Sequence, residues 1–160
     1  MAEIRGNVAG AEQFARAAAA VVGVVFLLVG VLGFVPGVTT DYDSMTFADH
    51  ESGAELLGIF QVSVLHNIVH LLFGVAGLWA ATQARLVAPV LFASAAIYGL
   101  LTIYGIVIDK ESSANFVPVN SADNWLHLVL TVGLAGLGWF VHQRLHGGHY
   151  DFRHHGHPAV

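Results

Sequence analysis

Residues 64–84 read VLHNIVHLLFGVAGLWAATQA, an apolar run that is interrupted near its start by two histidines and an asparagine. A helix needs about 20 apolar residues to cross the hydrocarbon core of a bilayer. This run is long enough and contains no Asp, Glu, Lys or Arg. It therefore predicts a membrane-spanning helix, and its polar side chains are unusual because such groups are costly in lipid.

Three more apolar runs flank this one, at about residues 17–35, 86–108 and 125–141. The 160-residue chain is 56% hydrophobic and only 11% charged, whereas a soluble domain carries about 25% charged residues. We therefore predict an all-α membrane protein, a four-transmembrane-helix bundle made of two repeated helical hairpins. The predicted divisions are an N-terminal arm (1–16), a transmembrane domain (17–143) and a His-rich tail (144–160).

The basic residues predict the orientation of the bundle. Lys110 lies in the loop between the third and fourth spans, and the other five basic residues fall on the opposite side: Arg5, Arg16, Arg85, Arg144 and Arg153. The positive-inside rule assigns the side with more basic residues to the cytoplasm. Both termini are then cytoplasmic and both long loops face outward, with residues 54–60 expected to form an interfacial helix or re-entrant turn on the outer leaflet.

The composition also excludes several classes of function. The chain has no cysteine, which rules out disulfides, thiolate metal sites and cysteine nucleophiles. A net charge of −5 without a basic patch argues against nucleic acid as a partner. No nucleophile–base pair, phosphate-binding loop or paired carboxylate is apparent, so the sequence disfavours an enzyme. The expected partner is the lipid bilayer, with a larger membrane complex or a homo-oligomer as further candidates.

A polar motif occurs twice in the chain. Residues 62–71 (VSVLHNIVHL) align without gaps on residues 119–128 (VNSADNWLHL). Four positions are identical, and Ser63 and Asn120 occupy the position expected for a helix N-cap. In each copy, polar residues spaced four apart share one helical face. The repeat therefore predicts that the second and fourth spans enter from the same side with matched polar faces.

These faces supply the candidate site. If they meet, His66, His70, Asp123 and His127 are a possible ligand set for Zn, Fe or Cu. In a second hypothesis His70 and His127 alone are the axial ligands of haem b. These ligands are expected to be hydrogen-bonded in turn by Asn67, Asn124 and Tyr98. The alternative to both hypotheses is that these groups only join helices by hydrogen bonds, with Asp123 completing a capping box begun by Asn120.

The two motifs, with the Gly33–Gly37 segment GFVPG at the end of the first span, resemble a family of small four-span membrane proteins of unknown function. That family is common in actinobacteria and is similar to the DoxX-type proteins in layout. The resemblance extends from about residue 14 to 143. It implies a four-helix fold in a bacterial plasma membrane and no particular activity.

The sequence thus predicts a small membrane binding or accessory protein with an inward-facing His/Asp cluster between spans two and four. The cluster is expected to hold a transition metal or haem. The competing hypothesis is a structural accessory subunit of a larger membrane complex, in which the same polar residues only hold the helices together.

Overall fold

The computed structural model describes residues 2–147, and their side chains from residue 6 onward. It contains four long helices: α1 (Ala2–Leu32), α2 (Val64–Ala81), α3 (Ala84–Val107) and α4 (Ser121–His146). Each of the four is long and apolar enough to cross a membrane, which in α1 holds for Gly6–Leu32. The predicted membrane protein of four helices is therefore confirmed at this level.

The helices pack as two hairpin pairs, α1 with α2 and α3 with α4. Contacts between the pairs are fewer and involve mainly α2 with α3 and α1 with both α3 and α4. Many large apolar side chains of the helices are exposed, for example Leu100 and Val129. A surface of this kind fits a lipid environment.

Two helices extend beyond the predicted membrane spans. Residues 2–16 of the predicted arm are a continuous part of α1, because they include good helix formers such as Ala and Glu and contain no proline. Helix α4 begins at Ser121 and ends at His146, beyond the predicted limits of 125 and 141. Of the predicted His-rich tail, residues 148–160 lie outside the described residues.

The connections at one end of the bundle form a small cap, which we define as residues 33–63 and 108–120. The first of these segments contains three short strands, β1 (Thr39–Thr40), β2 (Glu55–Leu56) and β3 (Phe60–Gln61). They form one antiparallel sheet in the order β1-β2-β3. The predicted interfacial helix at 54–60 is therefore wrong, because these residues form a hairpin, and the predicted place of the segment on the outer leaflet stays a prediction.

Candidate functional site

Helices α2 and α4 both begin at the cap with a side-chain N-cap. The Ser63 hydroxyl accepts a hydrogen bond from the His66 amide at 3.2 Å. The Asn120 side chain accepts one from the Asp123 amide at 2.9 Å. These bonds satisfy N–H groups that the first turn of a helix leaves free, and they confirm both predicted caps.

After its N-cap, α2 carries two histidines whose side chains are buried in the bundle. The rings of His66 and His70 stack with centroids 4.7 Å apart and planes 17° apart. Nδ1 of His70 lies 3.0 Å from the His66 carbonyl oxygen. Because a carbonyl only accepts hydrogen bonds, this contact assigns the His70 proton to Nδ1 and leaves Nε2 as its free nitrogen. His70 is therefore oriented by its own helix.

His127 of α4 and Tyr98 of α3 complete one group of rings. His127 lies 6.1 Å from His66 and 5.2 Å from Tyr98 between centroids. Tyr98 in turn lies 6.4 Å from His70. All four side chains are buried. The structure thus brings together three of the four predicted ligands and one residue that was expected to support them, and we call His66, His70, Tyr98 and His127 the ring cluster.

The ring cluster rests on Phe26 of α1. The Phe26 ring stacks on Tyr98 at 5.6 Å with planes 16° apart and lies 5.9 Å from His70. The sequence did not single out Phe26, because an aromatic residue within an apolar run carries no signal that separates it from its neighbours. All four helices therefore contribute a side chain to this region.

Asp123 has a different role from the histidines. Its Oδ2 atom accepts hydrogen bonds from the backbone amides of Asn120, at 2.8 Å, and Gln61, at 3.1 Å. The first bond completes a capping box with Asn120, and the second ties α4 to strand β3. Asp123 is thus bound to backbone at the boundary between α4 and the cap.

The two motif asparagines also bond away from the ring cluster. Asn124 donates from Nδ2 to the carbonyl oxygen of Gly105 at 2.8 Å. The Asn67 side chain lies against Gly33, where an added Cβ would collide with it, and its Nδ2 contacts Met45 Sδ at 3.9 Å. Asn67 and Asn124, which were expected to support the metal ligands, therefore each hold the two helices of one hairpin together near the cap.

Three polar atoms of the ring cluster are buried without a hydrogen-bond partner. They are Nδ1 of His66, Nδ1 of His127 and the hydroxyl oxygen of Tyr98. A buried polar group left in this state costs about 1–3 kcal/mol. The rings that carry these atoms are neighbours, so the three atoms are candidate hydrogen-bonding or metal-ligating groups.

The four predicted metal ligands are not brought together as one metal site. Within residues 6–147, no three His, Asp or Glu side chains form a group arranged to hold a metal ion. The lone pairs of an imidazole lie in its ring plane, so the nearly parallel rings of His66 and His70 do not aim at one point. A haem between His70 and His127 would displace Tyr98, whose ring neighbours both. Binding of either cofactor stays a prediction.

Comparison with known proteins assigns the chain to a family. Residues 16–140 match the model of a domain of unknown function, DUF4383, so the chain belongs to that family. No curated protein and no solved structure matches it. The matched range includes the ring cluster, the N-caps of α2 and α4, and at least part of each of the four helices.

Proposed function

We propose that this DUF4383 protein is a small membrane binding protein that holds a ligand in its ring cluster. The observation that carries the proposal is the set of three buried, unpartnered polar atoms on His66, Tyr98 and His127. Such groups are rare in folded proteins, and each one calls for a partner or a functional explanation. In a membrane helix, polar groups facing the interior are also frequently functional.

The observed hydrogen bonds reduce the number of predicted site residues that are free to contact a ligand. His70 uses Nδ1 on the His66 carbonyl, and Asp123 uses Oδ2 on two backbone amides. These two residues are therefore assigned positioning roles. His66, His127 and Tyr98 are the proposed ligand-contacting residues.

Two imidazole nitrogens and a phenol oxygen suit a transition-metal ion such as Zn²⁺ or Cu²⁺. They also suit a small polar molecule with hydrogen-bonding oxygen or nitrogen atoms. The imidazole rings would have to rotate before their nitrogens aim at one ion. The metal is the class we choose for the test, because it can be counted directly.

The test is equilibrium dialysis of detergent-purified full-length protein against Zn²⁺ or Cu²⁺, followed by elemental analysis. The expected result is that His127→Ala and Tyr98→Phe each bind less metal than the unchanged protein, with His127→Ala losing one equivalent. His50→Ala is the control, since this cap histidine lies outside the ring cluster and outside the His-rich C-terminal segment. The histidines of the C-terminal tail are present in the unchanged protein and in all three variants, so any metal that they bind does not affect the comparison. Equal metal content throughout would contradict metal binding by the ring cluster.

An absorption spectrum of the gently purified protein tests the haem hypothesis in the same preparation. Haem ligated by His70 and His127 predicts a Soret band that disappears in His70→Ala and in His127→Ala. A spectrum without this band in protein produced with sufficient haem would contradict the hypothesis.

The second candidate function is a structural accessory subunit of a larger membrane complex. It is favoured by the hydrogen bonds of His70, Asp123 and Asn124, all of which go to backbone atoms. Under this hypothesis ring-cluster variants lower stability but retain their partners on co-purification. Stoichiometric loss of metal from His127→Ala without loss of stability would contradict it.

We further propose that the cap faces outward in a bacterial plasma membrane and that both termini are cytoplasmic. The distribution of basic residues supports this orientation. We also propose that the two hairpins are copies of one unit. Support comes from the equivalent N-caps of α2 and α4, and from Asn67 and Asn124, which each pack on a glycine near the end of the preceding helix.

A further inference from the structure

The hairpin formed by β2 and β3 has an unusual tip. Its turn is closed by the Ile59 amide, which donates to the Leu56 carbonyl at 3.2 Å. The two residues between them, Leu57 and Gly58, have φ angles of 58° and 66°. This left-handed conformation suits Gly, Asn or Asp, and a bulky residue seldom adopts it. Leu57 therefore occupies a position for which its backbone preference is poor.

The side chains at this tip are apolar and exposed. Leu57 is 61% exposed and Ile59 is 51% exposed, although neighbouring Leu56 is buried. A small polar residue would serve the turn better and would face water at lower cost. The combination of an unfavourable backbone angle with an exposed apolar side chain indicates that the tip has a binding partner.

Hydrogen bonds place the tip level with the start of a span. The Ile59 carbonyl accepts from the Asn120 side chain at 2.8 Å, and Asn120 is the N-cap of α4. Trp125, five residues along α4, is 70% exposed, as is typical of an aromatic residue at the membrane interface. On the other side of the tip, the Leu57 amide donates to the carbonyl of Val38, which follows α1. The tip is thus bonded to the N-cap of α4 on one side and to the segment that follows α1 on the other.

From this placement we propose that Leu57 and Ile59 insert into the acyl–headgroup boundary of the bilayer and anchor the cap to it. The tip lies beside the start of a membrane helix, so the bilayer that surrounds this helix is the apolar phase next to it. The first cap segment (33–63) contains five acidic residues and no Lys or Arg. Contact with anionic headgroups would therefore be unfavourable, and the anchor depends on apolar burial rather than on charge.

The absence of cysteine from the sequence makes a direct test possible. Leu57→Cys and Ile59→Cys are each labelled with a nitroxide in the full-length protein and reconstituted into phosphatidylcholine vesicles. Collision of the label with oxygen, which partitions into lipid, is compared with collision with a water-soluble nickel complex. Leu100→Cys, on the exposed face of α3, is the lipid reference, and Asp43→Cys, on the exposed part of the cap, is the water reference.

The expected result is that both tip labels collide more with oxygen than with nickel, as at position 100, and that position 43 shows the reverse. Adding phosphatidylglycerol to the vesicles is not expected to raise the preference of the tip labels for oxygen, because the acidic cap repels anionic headgroups. The Ile59 label repeats the measurement outside the positive-φ position, in case the change at 57 alters the turn.

Two outcomes would overturn the proposal. Tip labels that behave like position 43 would place the tip in water. Spectra broadened by neighbouring labels, and sharpened when labelled protein is diluted with unlabelled protein, would identify a second copy of the chain as the occupant. This test does not depend on the ring cluster, so its result is independent of the ligand proposed above.

Discussion

The side chain of Asn124 is bonded to the backbone of Gly105, with 2.8 Å between Nδ2 and the glycine carbonyl oxygen. The amide sits where a Cβ of residue 105 would be, so the close approach requires glycine. The Asn67 amide likewise sits where a Cβ of residue 33 would be in the first hairpin, although its Nδ2 contacts Met45 and not the Gly33 carbonyl. In both cases a polar side chain that enters the membrane is packed against the backbone of the neighbouring helix in its own hairpin, where small residues let helices come close.

Gly105→Ala is therefore expected to destabilise the protein, by about 1–3 kcal/mol in the free energy of unfolding, because the added methyl overlaps the Asn124 amide. The measurement is thermal or denaturant unfolding in detergent followed by circular dichroism. Gly136→Ala is the matched control, since nothing lies near an added Cβ at that position of α4. It should be neutral or slightly stabilising. Equal effects at the two positions would contradict the packing described here.

A double-mutant cycle then isolates the contact. In an Asn124→Ala background the amide is gone, so Gly105→Ala is expected to cost less than it does alone, with a coupling of about 1 kcal/mol. The same unfolding measurement applies. Strict additivity of the two changes would show that residues 105 and 124 do not interact.

Asp123→Ala is expected to lower the free energy of unfolding by about 1–3 kcal/mol. The substitution removes the acceptor for the Asn120 amide in the capping box and for the Gln61 amide of β3. Glu111→Ala, at an exposed position in the cap, should change stability by less than about 0.5 kcal/mol.

Hydrogen exchange gives a second measurement on the same variant. The amides of Gln61 and Asn120 should exchange faster in Asp123→Ala than in the unchanged protein. Unchanged exchange at these two amides would rule out the proposed link between α4 and the cap.

Tyr98→Phe is expected to leave the ligand-free protein as stable as before, or to stabilise it by up to about 1 kcal/mol. The hydroxyl is buried without a partner, so deleting it removes a desolvated polar group and little else. Unfolding of protein purified in a chelator measures the effect. A loss of more than about 2 kcal/mol would mean that the hydroxyl has a strong partner, and Phe26→Ala serves as the control for loss of ring packing.

The orientation of the bundle predicts a labelling pattern in whole cells. A membrane-impermeant maleimide is expected to react with Asp43→Cys, in the cap, and not with Thr82→Cys, in the short link between α2 and α3. Both positions are exposed, and the chain has no other cysteine. The reverse pattern would place the cap in the cytoplasm.

The four spans and the start of α2 and α4 could be predicted because their signals are local. Apolar run length indicates a span, and Ser63 or Asn120 before the run indicates its N-cap. The approach of His70 and His127 followed from the repeat, since each lies seven residues past an equivalent N-cap and therefore at similar depth, and His66 lies one turn before His70 on the same face. Helical geometry alone was enough for this part of the site.

The β-hairpin and the division of roles could not be predicted in this way. Strands of two residues carry no alternating pattern, and Leu57-Gly58 lacks the Asn or Asp that usually marks such a turn. Asp123 matches the histidines in spacing, and only its bonds to Gln61 and Asn120 show that it serves the backbone. Phe26 was not identified because its partners come from α2 and α3, which are distant in sequence.

Each hairpin is closed by its own asparagine–glycine contact, while the ring cluster draws side chains from α2, α3 and α4 and rests on α1. The imidazoles and the phenol therefore lie at the seam between two units that are complete without them. Substitutions in the ring cluster are therefore expected to change how the two hairpins pack on each other more than how each hairpin packs within itself.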